Sequence, residues 1–172
     1  YASTKLSGEI LSKIMMEDTS TNLLIPRFFT VYGPYGRPDM SILRFIHWII
    51  QEKEVLVLGD GEQMRSFTYI DDVVEALLLM MDYKESNTFN IGSNTTVSLN
   101  EVIKTIEKYS GKKANIKNEE RAYKDPDVVR PNLENISNEL NWKPSTNIEA
   151  GIEKTVSWYL ENKEVLNDIV YI

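Results

Sequence analysis

The sequence predicts a mixed α/β protein. Two observations carry that prediction. Stretches with apolar residues at helical spacing alternate with compact apolar runs of strand length. The 172 residues are 42% hydrophobic and 26% charged, which suffices for a packed core and is too apolar for disorder. There are no repeats or low-complexity tracts.

The elements follow in order. "YASTKLSGEILSKIMMED" has apolar residues at 6, 10, 11, 14 and 15 and reads as a helix. "NLLIPRFFTVYG" reads as one buried strand ending at Thr30. "GPYGRPD" holds two Gly and two Pro and must be a loop. "MSILRFIHWIIQEK" is a second helix, with Asp39 or Ser41 as its N-cap. "EVLVLGDGEQ" is a short strand and turn, "MRSFTYIDD" a strand, and "DDVVEALLLMMDY" a helix capped by Asp71 or Asp72. Those two carboxylates suit a helix N-terminus better than a metal or catalytic pair. "NTFNIGSN" is a strand and loop. In "SLNEVIKTIEKYSG", Ser98 and Glu101 have capping-box spacing and Gly111 ends the helix. "KKANIK" is a strand, "NEERAYKDPDVVRPN" a surface loop, "ENISNELNW" a short helix capped by Asn135, and "NIEAGIEKTVSWYLENK" the last helix.

Composition excludes several function classes. The formal charge of −7 disfavours nucleic acid, whose phosphates need clustered Lys and Arg. With no cysteine there is no disulfide, thiol nucleophile or cysteine-bound metal. The single histidine, His47, lies in the apolar run "SILRFIHWII", so packing is expected of it rather than zinc binding. No run is long and apolar enough for a membrane span, and a cytoplasmic location is expected. A start at Tyr without Met is expected of a piece of a longer protein. No Gly-rich dinucleotide loop or P-loop is present.

One pairing carries chemistry. Tyr1 and Lys5 are four apart at the head of a helix, so their side chains share a face. An ammonium beside a phenol favours the phenolate, as proton transfer to or from a hydroxyl requires. The spacing alone does not single them out, because Tyr109/Lys113 and Tyr159/Lys163 share it. Gly111 interrupts the second pair, and the tyrosine of the third is expected to pack.

The surroundings of the first pair are more specific. "YASTK", "PRFFTVYGPYGRPDMSILRF", "GDGEQMRSFTYIDDVVEALL", "FNIGSNTTVSLNEVI" and "LNWKPSTNIEAGIEKTVSWY" follow one another in order. Together they resemble the C-terminal half of an extended short-chain dehydrogenase/reductase, within it the NAD-dependent nucleotide-sugar epimerases. The block "VYGPYGRPDM" most resembles UDP-glucuronate 4-epimerases. The resemblance covers essentially the whole chain. It implies the C-terminal part of an NAD(P)-binding Rossmann-like fold: the last sheet strands and a small α/β substrate-binding domain, without the N-terminal Gly-rich half. Residues 1–35 would be the remnant of the dinucleotide-binding domain. Residues 36–172 would be mainly the nucleotide-sugar domain, with 71–95 returning to the Rossmann-like sheet.

The resemblance also implies a mechanism. Tyr1 would take a proton from the sugar 4-hydroxyl while hydride passes to NAD, and hydride would return to the other face of a 4-keto intermediate. Lys5 would hold the nicotinamide ribose. Phe28 and Phe29 would lie near the cofactor. Thr30 would meet the sugar carboxylate, and a hydroxyl donor suits that role. Arg37, Met40, Ser41 and Arg130 would complete the substrate contacts. Arg65 would hold the diphosphate, where a bidentate fork favours Arg over Lys. Two departures weaken the carry-over: Ser66 stands where the family has Asp in "RDFTY", and "PDVVRPNLEN" lacks the usual Gly. The fragment is expected to bind NAD weakly and to be inactive alone; the full-length protein is expected to dimerise. A non-catalytic nucleotide-sugar-binding module and a dehydratase or decarboxylase are the alternatives.

Overall fold

A computed structural model describes residues 1–120, 126–166 and 169. In chain order the elements are α1 (Ala2–Met16), β1 (Leu24–Phe28), β2 (Thr30–Tyr32), α2 (Ser41–Ile50), β3 (Glu54–Leu58), β4 (Met64–Arg65), β5 (Phe67–Tyr69), α3 (Ile70–Asp82) and β6 (Asn87–Ile91). β7 (Val97–Ser98), α4 (Leu99–Ser110), β8 (Asn115–Glu119), β9 (Val128–Val129), α5 (Glu134–Leu140), α6 (Ile148–Glu161) and α7 (Lys163–Leu166) follow. The mixed α/β class is as expected. Residues 121–125 of the expected surface loop lie outside the described residues.

Strands pair mostly in parallel: β1 with β6, β2 with β5, β3 with β8 and β4 with β9; β4 also pairs antiparallel with β7. The expected single strand ending at Thr30 is two strands. The Phe29 N–H still bonds Ile91 on β6, at 2.9 Å, but Thr30 already pairs with Phe67 on β5. The chain changes partners there, and periodicity cannot show that. "MRSFTY" divides in the same way at Ser66, whose N–H bonds the Val129 carbonyl. Part of the expected loop is a strand, because Val128 and Val129 pair with Met64 and Arg65.

α2 is apolar almost all round, and eight of its residues are buried, from Ile42 and Leu43 through Phe45–Ile50. A helix of that kind belongs at the centre of a core. It packs against α4 and α6, over Tyr32, Val55, Val57, Phe67 and Tyr69. A second cluster joins α3 and α5 to Phe89 and Ile91 of β6. In contrast α1 buries none of its residues, and its bidentate Arg27–Glu9 pair links it to β1.

The cap assignments divide. Ser98 and Glu101 form the expected capping box, and Gly111 closes α4 at φ 67°. The α2 cap is Met40, not Asp39 or Ser41, and uses no side-chain bond. α3 is capped by Tyr69, with Asp71 and Asp72 inside its first turn. Asp72 is buried and accepts from the backbone and hydroxyls of Ser145 and Thr146, so it staples α3 to the segment before α6. α5 is capped by Leu133; Asn135 instead donates to Asn87 Oδ1 and the Thr88 carbonyl.

Candidate active site

Tyr1 is the N-cap of α1, and the Lys5 N–H closes the first turn on its carbonyl at 3.1 Å. The Lys5 ammonium stands 5.4 Å from the centroid of the exposed Tyr1 ring. The two other pairs of this spacing are spent elsewhere. Tyr159 is buried and shares a hydrogen with His47 Nδ1 at 2.8 Å. Tyr109 donates to Glu149 while Lys113 turns to Glu107.

Tyr1 borders a cavity of about 550 Å³ together with Phe28, Phe29, Thr30, Arg37 and Met40. Six of the expected residues thus converge. A narrow crevice beside it is lined by Thr30, Met40 and Ser41. The change of strand partner at Phe29 builds this wall: it ends β1 with Phe28 and opens β2 with Thr30. Arg37 is held by its neighbour Asp39, with Nε at 3.0 Å and Nη2 at 2.6 Å. Sequence reasoning missed Tyr32, Tyr35 and Ile70 in the same cavity. An aromatic between two glycines of a tight loop was the available signal for Tyr35. Gly33 is required where it stands: at φ 144°, a Cβ would come within 2.5 Å of the Ile70 side chain. Burial pushes the Tyr32 phenol above its usual range, with Tyr69 and Asp72 adding to the shift, so Tyr32 stays protonated.

Neither Arg65 nor Arg130 borders the Tyr1 cavity. Arg65 donates through Nη1 to the carbonyls of Met64, at 2.8 Å, and Asp127. Arg130 borders a second cavity, about 570 Å³, with Asn94, Pro131, Asn132 and Lys143. Gly92 lies between one lining residue of each cavity: an added Cβ would meet Pro131 Cγ at 2.6 Å and Phe29 Cβ at 3.2 Å. Ser66 ties the region together: its hydroxyl donates to the Ser93 carbonyl at 2.9 Å and accepts from the Ser93 N–H at 3.0 Å. Among the described residues no group of His, Asp and Glu is gathered as a metal site, and no helix is long and apolar enough to cross a membrane.

Known proteins resemble the chain over nearly its whole length. Over 98% of its length the chain is 38% identical to a UDP-glucuronate 4-epimerase of Thermodesulfobacterium geofontis, and it covers 53% of that protein. The chain spans about half the length of the curated relatives it matches. Among solved structures it resembles MoeE5 in complex with UDP-glucuronic acid and NAD, at TM-score 0.90 and 31% identity, over 94% of this chain and 56% of that one. It also resembles UDP-glucuronic acid 4-epimerase from Bacillus cereus in complex with UDP-glucuronic acid and NAD, at TM-score 0.86 and 32% identity, over 92% and 51% of the two chains. The family model for NAD dependent epimerases and dehydratases matches residues 1–92, which include the Tyr1/Lys5 helix and all the residues that line its cavity. The chain therefore belongs to the NAD dependent epimerase/dehydratase family.

Proposed function

We propose that this chain contributes the catalytic Tyr/Lys pair and the nucleotide-sugar-binding part of an NAD-dependent UDP-sugar 4-epimerase whose substrate is UDP-glucuronate. The convergence of Tyr1, Thr30 and Arg37 on one cavity carries the reading. It brings a proton-transfer group and a hydroxyl donor to one space, as a uronate's 4-hydroxyl and carboxylate require, with the Asp39-paired Arg37 at its edge. In this reading residues 1–35 and 71–95 face the dinucleotide, and most of the remainder binds the sugar nucleotide.

Tyr1 accepts and returns the proton of the sugar 4-hydroxyl. Lys5 stands beside the phenol, its ammonium 5.4 Å from the ring centroid, and in this reading donates to a ribose hydroxyl. Thr30 donates its hydroxyl to the carboxylate, and Met40 and Ser41 close the cavity beside it. Arg65 and Arg130 neutralise the diphosphate. The cavity fits the nicotinamide end of NAD, because Phe28 and Phe29 give it an apolar wall beside the polar Tyr1 and Thr30. NAD, when bound, supplies the hydride acceptor and donor. The sequence holds no Gly-rich loop for the NAD pyrophosphate, so the 172-residue chain alone is expected to bind NAD weakly and not to turn over.

Product analysis tests the proposal. A whole enzyme containing this chain, given UDP-glucuronate and NAD, is expected to form UDP-galacturonate by NMR. Tyr1→Phe is expected to lower kcat by about 10²–10⁴. A whole enzyme inert toward every UDP-sugar would overturn it.

A further inference from the structure

The loop between β2 and α2 places a bulky residue where the backbone favours glycine. Tyr35 has φ 59° although Gly33 and Gly36 flank it. Bulky side chains are uncommon there, and the cost is retained when surrounding contacts fix the conformation. Tyr35 is 87% exposed, and what it does touch is a ring. Its ring centroid lies 5.1 Å from that of Trp158 on α6, with the planes at 53°. Trp158 Nε1 is buried without a hydrogen-bond partner. A leucine there would avoid an orphaned donor, so the indole serves through its flat face.

The same face of α6 receives two more tyrosines. Tyr32 rests against Gly151, and its hydroxyl lies 3.5 Å from the Ile148 carbonyl. The Lys154 ammonium stands 5.1 Å from the Tyr69 centroid. Positions 151, 154 and 158 follow helical spacing. Tyr32 and Tyr35 both border the cavity that holds Tyr1 and Arg37. One helix outside the reacting region therefore supports two of its walls.

We propose that Tyr35 is a positioning residue, clamped on Trp158 so that α6 holds the Gly33–Arg37 turn, and Arg37 with it, at the mouth of the Tyr1 cavity. Its effect on substrate binding rests on the UDP-sugar reading above. The turn has its own reporters, the Gly36 and Met40 amides, which bond the Gly33 and Arg37 carbonyls at 3.2 and 3.1 Å. Tyr35→Gly removes the ring and suits the left-handed backbone but adds chain flexibility of its own, so Tyr35→Asn, which also tolerates that conformation, is compared with it and must show the same faster exchange.

Hydrogen exchange on the whole enzyme is the primary test. Tyr35→Gly and Trp158→Leu are each expected to speed exchange at Gly36 and Met40 about tenfold or more, while Tyr35→Phe leaves it unchanged. Tyr35→Gly is expected to keep the wild-type Tm and to raise the KM for UDP-glucuronate about fivefold, with kcat within about twofold. Unchanged exchange in a folded Tyr35→Gly protein overturns the clamp. Faster exchange with an unmoved KM overturns the positioning role. Exchange needs no turnover, so the clamp is decided even if the wild-type enzyme converts no UDP-sugar; that result would remove the UDP-sugar reading and with it the role in binding.

Discussion

Asp72→Ala tests the staple between α3 and the segment before α6. Oδ1 accepts from the Ser145 hydroxyl at 2.9 Å, the Thr146 hydroxyl at 3.1 Å and the Ser145 N–H at 3.3 Å; Oδ2 accepts from the Thr146 N–H at 3.0 Å. Asp72 is buried, but Ser145 is exposed and Thr146 half-buried. Water can therefore replace part of what is lost. The 3.3 Å bond is long, and one hydroxyl can rotate to solvent, which leaves two bonds to a charged acceptor at ~1.5 kcal/mol each, the low end of the range for such bonds. Losing the carboxylate from the first turn of α3 adds ~0.5 kcal/mol. The expected cost is about 3–4 kcal/mol, or a Tm lower by about 10 °C for a chain of this size. Asp72→Asn keeps one acceptor and should cost about half as much. Urea denaturation of both variants against wild type measures this, with an unchanged m-value as the control for two-state unfolding. A loss below about 1 kcal/mol for Asp72→Ala would refute the reasoning, since it would make the four contacts no better than water.

Three further outcomes are expected. His47 is buried, and desolvation first, with the Lys53 ammonium second, pushes its pKa down from 6.5 to about 4. The folded state thus disfavours protonation: stability is full above pH 6.5 and falls by up to about 3 kcal/mol as pH drops toward 4. As the sole histidine it gives one imidazole signal, and an NMR titration midpoint near 6.5 would contradict this. Gly151→Ala puts a Cβ 1.9 Å from Tyr32 Oη; the overpacking, about 1–3 kcal/mol, exceeds the ~1 kcal/mol gained in helix propensity, so a higher Tm would count against it. Thr30→Ala is expected to raise the KM for UDP-glucuronate about tenfold relative to UDP-glucose, by loss of a hydrogen bond to a charged group; equal effects on both substrates would remove Thr30 from carboxylate recognition.

What the sequence made legible was local. Ser98, Glu101 and Gly111 define α4 because each signal acts within one turn of its own residue. The α2 cap was illegible because Met40 starts that helix without a side-chain hydrogen bond. The division at Phe29 and the strand at Val128 depend on partners far along the chain, which no window of sequence contains. Asp72 shows a different limit: its place near the N-terminus of α3 was legible, though as a cap rather than inside the first turn, but its acceptors' partners lie more than seventy residues away. At the candidate site, the resemblance named residues and the fold sorted them. It gathers Tyr1, Thr30 and Arg37, sets Arg130 beside a second cavity, and adds Tyr32, Tyr35 and Ile70, whose inclusion depends on α6 and α3 packing behind them.

The Glu9–Arg27 pair has a consequence for solution conditions. α1 carries Tyr1 but buries nothing, whereas β1 leads directly into Thr30. A charge pair with Arg27 nearly half exposed therefore ties the phenol's helix to the opposite wall. Ionic strength weakens such a tie, because the screening length shrinks from about 10 Å at 0.1 M salt to about 3 Å at 1 M. The grip of α1 on β1 is thus expected to loosen as salt rises, which hydrogen exchange in α1 compared at about 0.1 M and 1 M salt would show.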